Sequence, residues 1–108
     1  MELDEYQKLA LRTAGHRESR EKVLTYAALG LAGESGEVAE IVKKAFYHGH
    51  ALDHESLYKE LGDVLWYLAV MADGLGFSLD QIAQGNIAKL QARYPEGFSE
   101  QRSINRHE

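Results

Sequence analysis

The apolar positions of this chain recur with helical rather than alternating period along most of its length. Leu3, Tyr6, Ala10 and Ala14 share one face, and Gly15 with the charged run after it ends the pattern, which predicts a first helix over about 3–14. A second pattern runs from Lys22 to about Tyr47, with Val38, Ile41, Val42, Ala45 and Phe46 as its core-facing stripe. Gly30, Gly33 and Gly36 interrupt it. Interior glycines cost about 1 kcal/mol each relative to Ala, so their clustering predicts a kink or the close approach of another backbone or a ligand. At His48-Gly49-His50 the pattern stops: Gly49 suits a left-handed helix end, and imidazole suits a helix C-terminus better than it argues for a metal here.

A short polar connection over 48–55 brings the next helix back antiparallel. That helix, about 54–75, carries the stripe Leu57, Leu61, Val64, Leu65, Leu68, Ala72 and Leu75, and Trp66 and Val70 widen its apolar surface. Such a helix belongs at the centre of a domain or an oligomer, with Trp66 as a core, interface or base-stacking residue. Gly74 and Gly76 close it, and Ser78-Leu-Asp-Gln81 reads as a capping box opening a fourth helix to about Ala92. Leu79, Ile82, Ala83, Ile87 and Leu90 form its stripe, with Asn86 inside and buried by pattern. Pro95 and Gly97 break the periodicity, leaving 99–108 as a polar, flexible tail on a domain spanning 1–98. The expected fold is all-α, a four-helix bundle completed by oligomerisation, as a homodimer or homotetramer.

At 108 residues and 44% hydrophobic content the chain is one compact domain, small enough that pairing with another subunit would help it. It has no cysteine, which excludes a disulfide framework and thiolate zinc, and suits a reducing cytoplasm. The opening Met-Glu-Leu-Asp-Glu has no basic or apolar run, and no stretch reaches the roughly 18 apolar residues of a membrane span, so a soluble cytoplasmic protein with no membrane partner is expected. A net charge of −5 argues against nucleic-acid binding, though free nucleotides remain compatible where a metal reverses the local sign.

Two acidic stretches carry the candidate chemistry: Gly33-Glu34-Ser35-Gly36-Glu37 and Glu60-Leu61-Gly62-Asp63. In each, two carboxylates three residues apart face one way from a helix. Glu34 falls within the apolar sector of its helix and Glu37 on its edge, while Glu60 and Asp63 flank the stripe of theirs, with Tyr67 one turn beyond. The pairs can therefore face each other across a groove between helices. Four converging carboxylates cannot all stay ionised without a cation among them, and an all-oxygen set suits Mg²⁺, or Mn²⁺, rather than zinc.

With these residues placed, Gly30-Leu-Ala-Gly-Glu-Ser-Gly-Glu-Val-Ala-Glu40 followed by Lys59-Glu-Leu-Gly-Asp-Val-Leu-Trp-Tyr-Leu-Ala69 resembles the MazG-like nucleoside triphosphate pyrophosphohydrolases, an all-α group. The resemblance continues through Gly76-Phe-Ser-Leu-Asp and Asn86-Ile-Ala-Lys-Leu to Arg93-Tyr-Pro. It implies Mg²⁺-dependent hydrolysis of a nucleoside triphosphate to monophosphate and pyrophosphate, with Glu34, Glu37, Glu60 and Asp63 as metal ligands and catalytic acids. The family pattern has a leading acid where Gly33 stands, and Glu40 is a candidate substitute.

Substrate candidates follow from direction and charge. Tyr67 lies on the Asp63 side; Asn86 offers an amide to a base or sugar; Lys89 and Arg93 continue its edge toward a phosphate, or simply snorkel. Lys44 reaches either a phosphate or Glu40 as a surface ion pair, Arg17 and Arg20 are phosphate contacts or solvated charges, and Gln7 is a ligand contact or a semi-buried polar residue. Two rival readings stand beside this one: a phosphoribosyl-ATP pyrophosphatase-like enzyme, and a non-catalytic helical module that keeps the acids as a cation site.

Overall fold

A computed structural model describes residues 1–15 and 19–106. Among the described residues five helices follow one another: α1 Leu3–Leu11, α2 Arg20–Tyr47, α3 His54–Leu75, α4 Leu79–Arg93 and α5 Glu100–Ile104. No strand is present among the described residues, so the architecture is all-α. Arg17, considered above as a phosphate contact, lies outside the described residues.

The caps explain most of the boundaries. Ser19 accepts from the Lys22 amide at 3.1 Å and starts α2 two residues earlier than periodicity predicts. Asp53 accepts from the Ser56 amide at 3.0 Å and hydroxyl at 2.8 Å at the head of α3. Ser78 and Gln81 form the expected reciprocal capping box on α4. Gly49 and Gly76 take the left-handed conformation that lets α2 and α3 stop, at φ 77° and 84°. α1 is shorter than expected because Arg12, Thr13 and Ala14 donate to carbonyls three residues back, a tighter turn that ends the helix at Leu11. The segment expected to be a loose tail carries α5 instead, capped by Ser99 accepting from the Arg102 amide at 3.3 Å. Periodicity misses it because a five-residue helix shows barely more than one turn.

α2 and α3 form the central antiparallel pair. Contacts run from Val23 beside Gly74, through Gly30 beneath Tyr67, to Glu34 beside Glu60 and Asp63. α1 packs across the other end of α3, and one small cluster joins Ala10, Ala69, Ala72 and Leu79 while a second joins Val23, Ala27 and Val70. Trp66 lies against both, its Nε1 donating to the Ala10 carbonyl at 3.2 Å and Thr13 Oγ1 at 2.8 Å, which gives it the core role among those considered.

Gln7 is buried and structural rather than a ligand contact: Nε2 donates to the carbonyls of Ala69 and Phe77, both at 3.2 Å, and Oε1 accepts from the Leu79 amide at 3.0 Å. Asp4 adds an acceptor for the Asp80 amide at 3.0 Å. Together they pin α1 to the junction of α3 and α4. Arg20 donates to the Gly74 carbonyl at 3.1 Å, tying the start of α2 to the end of α3.

α2 runs unbroken through its glycines, so of the two expectations the kink does not occur and the close approach does, at Gly30 and from a side chain. Only Gly30 meets a close neighbour, since a Cβ there would overlap the Tyr67 ring, while Cβ atoms at Gly33 and Gly36 would find nothing within 4 Å. Gly33→Ala should therefore stabilise the helix by about 0.5–1 kcal/mol, and Gly30→Ala should destabilise it by about 1–3 kcal/mol. Thermal melts of the two variants check this; equal shifts would mean that the Tyr67 ring gives way freely.

Candidate metal centre

The carboxylates of Glu34, Glu60 and Asp63 each bring one oxygen within 4.8 Å of the others. α2 supplies the first and α3 the other two, from facing sides of the antiparallel pair. Like charges this close oppose ionisation, and the Glu34 carboxyl is held up to about 7, first by its hydrogen bond with Glu60, then by desolvation, then by the charges of Glu60, Asp63 and Glu37. One Glu60 oxygen, Oε2, is buried without any hydrogen-bond partner. An orphaned buried carboxylate oxygen within a group of three acids is what a cation's ligand looks like before the cation is added.

Glu37 is exposed and stands outside this tight group, yet near enough for its charge to act on Glu34. Gly33, where the resemblance leads one to expect an acid, faces open space. A side chain would fit there, so its loss is chemical and leaves no gap in the packing. The carboxylate of Glu40, the candidate substitute, pairs with Lys43 at 3.1 Å and lies 4.0 Å from Lys44, and Lys43 is the main cause of its lowered pKa. Lys44 is thus the partner of Glu40 in the structure.

Tyr67 lies one turn beyond Asp63 on α3. Its ring covers Gly30 and packs against Trp66 at a centroid distance of 4.9 Å and Tyr26 at 5.7 Å. A hydrogen bond with Tyr26 leads the causes that raise its pKa, followed by desolvation and the charges of Tyr26, Glu34 and Asp63. The charges of Glu34 and Asp63 thus reach the Tyr67 hydroxyl. Sequence reasoning missed Tyr26; its one signal is the four-residue spacing to Gly30, which puts both on one face and leaves room for an opposing ring.

Asn86 departs from expectation. The stripe of α4 predicts a buried amide, whereas Asn86 is exposed, and so are Ile82, Ile87 and Leu90 on the same helix. Only Leu79, in the first turn of α4, reaches the core. Periodicity identifies the face that would be covered but not whether this chain covers it. Lys89 and Arg93 line a separate groove beside α5 that shares no residue with the acidic cluster. Among the described residues no helix is long and apolar enough to cross a membrane.

The family model of the MazG nucleotide pyrophosphohydrolase domain matches residues 23–98, which contain all four acids. The chain is also similar to the Gene 37 protein of Mycobacterium phage L5, at 37% identity over 115 aligned residues that cover 98% of this chain and all of the phage protein. No solved structure matches significantly.

Proposed function

This chain belongs to the MazG nucleotide pyrophosphohydrolase domain family, and we propose on that footing that it hydrolyses a nucleoside triphosphate to the monophosphate and pyrophosphate with Mg²⁺ as cofactor. The observation that carries the reading is the convergence of Glu34, Glu60 and Asp63 around a buried, unpartnered Glu60 oxygen. These three carboxylates would hold the ion, and their all-oxygen character fits Mg²⁺ or Mn²⁺. Bound there, the ion would neutralise charge developing on phosphate oxygens and acidify a water.

Glu37, outside the tight group but near enough for its charge to act on Glu34, would accept the proton of the attacking water in this reading. The Tyr67 ring supplies an aromatic wall beside the acids, suited to a base or sugar face, and Gly30 keeps that wall close to α2. The apolar residues exposed along α3 and α4 support self-association as part of the same reading.

Pyrophosphate release from a panel of ribo- and deoxyribonucleoside triphosphates, with Mg²⁺ and with a chelator, tests the proposal. Release that depends on added Mg²⁺ is expected; no release from any triphosphate would defeat it. The profile should depend on pH in a defined direction. Glu34 holds its proton up to about 7, so ion binding must displace that proton below this value, and turnover should rise as pH passes through about 7. The metal-free protein should do the opposite. A carboxyl whose pKa is raised on folding contributes stability below its ordinary range near 4.5, and that contribution is lost as pH climbs through about 7.

A further inference from the structure

The groove between α2 and α3 has two chemically different ends. On α2, Tyr26, Gly30, Glu34 and Glu37 recur at three- and four-residue spacing and share a face, and on α3 Glu60, Asp63 and Tyr67 do the same. Because the helices run antiparallel, the acids meet at one end and the two tyrosines at the other. Tyr26 precedes Glu34 by two helical turns, about 12 Å along the axis at about 1.5 Å per residue. A ligand lying along the groove therefore meets carboxylates at one end and aromatic rings at the other.

Three rings make the aromatic end. Trp66 stands edge-on to Tyr67, at 88° and a centroid distance of 4.9 Å, and edge-on to Tyr26, at 81° and 6.5 Å, while Tyr26 and Tyr67 are tilted by 54°. Trp66 belongs to the fold, since it packs against both core clusters and its Nε1 is tied to Ala10 and Thr13. Among the described residues neither tyrosine is part of those clusters or packed on them. The pair thus projects from the core on Trp66. Tyr26 is 56% exposed and buries little, yet its hydroxyl is bonded to that of Tyr67 and not left to water.

The restraints on Tyr67 differ in kind. Gly30, with no room for a Cβ, and the edge of Trp66 are packing contacts, which leave a ring free to slide in its own plane. The bond from Tyr26 is directional and acts at the far end of the ring, so it removes that freedom. A planar ligand pays less to bind a ring already fixed in place. We propose that Tyr26 is a positioning residue: it holds the Tyr67 ring at one place in the groove, and through that ring it sets the affinity for the base and sugar of a nucleotide while leaving the ion untouched. This role rests on Tyr67 serving as the aromatic wall in the hydrolysis proposed above.

A double-mutant cycle of Tyr26→Phe, Tyr67→Phe and the two together, on the intact chain, tests the role. Two measurements are made on each protein: steady-state turnover with Mg²⁺, and calorimetric binding of α,β-methylene analogues of the four common ribonucleoside triphosphates. Each single variant should raise KM and weaken analogue binding by about two- to tenfold, with kcat within about twofold of the parent. The double variant should be no weaker than either single one, because both substitutions remove the same bond. Inorganic triphosphate, which has neither base nor sugar, should inhibit the parent and all variants at the same concentration. The near-ultraviolet dichroism of Trp66, the one tryptophan of the chain, and the melting temperature should stay at the parent values. Additive effects in the double variant, KM and affinity unmoved by Tyr26→Phe, an equal loss for inorganic triphosphate, or a parent that binds none of the analogues would overturn the role. A lost Trp66 signal or a lowered melting temperature would do the same by making Tyr26 a core residue. A parent that binds the analogues but turns over no triphosphate would defeat the hydrolysis alone, with the binding cycle still deciding Tyr26. Turnover indifferent to Tyr26→Phe would defeat Tyr26 alone.

Discussion

Replacing Glu60 with Gln is expected to lower Mg²⁺-dependent pyrophosphate release by about a thousandfold while leaving the metal-free protein at least as stable as the parent. The two halves have separate causes. Glu60 is the member of the cluster with a buried oxygen lacking any partner, so it gains most from a bound ion, and losing several kcal/mol of metal-derived stabilisation corresponds to a rate loss of about that size. In the absence of metal the same substitution removes one of three crowded charges and gives the Glu34 carboxylate an amide donor in place of a competing acid. Because Glu60 leads the causes that raise Glu34, the titration near 7 should move back toward the ordinary carboxylate range. The melting temperature of the parent should rise when Mg²⁺ is added, and that of the variant should not. Asp63→Ala should behave alike in rate. Turnover retained in both variants would remove these acids from the mechanism.

The other large effect expected is dissociation. A compact domain of about this length has a radius of gyration near 13 Å, whereas this chain measures 17.0 Å. The excess arises because α4 touches the core only through its first turn and then shows Ile82, Ile87 and Leu90 to solvent, while Leu61 on α3 stays 57% exposed. We propose that a second copy of the chain covers these faces, and that sedimentation at micromolar concentration returns a dimer or tetramer. In a two-fold interface each substitution appears twice, so Leu61→Asp or Ile87→Asp should cost roughly 3–6 kcal/mol of association, a weakening of about a hundredfold or more. A monomer that unfolds cooperatively at the same concentration would show that the faces need no partner.

The parts of this protein that were legible in its sequence are those set by neighbours three and four residues away. α3 has the predicted limits, since Asp53 caps it and Gly76 turns it off, and both signals are local. The convergence of Glu34 with Glu60 and Asp63 could be read from their placement against the stripes because the two helices meet along those stripes. What could not be read depends on distant partners. Gln7 is satisfied by carbonyls and an amide more than sixty positions away, and no pattern around residue 7 announces them. Asn86 sits on an apolar stripe, but the surface that would bury it is missing from this chain. Arg102 and Arg106 belong to a segment too short and polar to show a period, so their meeting with Lys89 and Arg93 becomes visible only once Gly97 has turned the chain.

The fastening of α1 sets an order of events during synthesis. Asp4 and Gln7 emerge first from the ribosome, but the groups they hold, from Ala69 to Asp80, follow 62 to 76 residues later. At roughly 5–20 residues per second, these side chains wait about 3–15 s for their partners. Until then α1 has no acceptor or donor for its buried amide, and the nascent chain can complete α2 and α3 without it. The first helix made is consequently locked only after α2 and α3 have been made, and the turn at Ser78 is the point at which α1 is joined to the junction of α3 and α4.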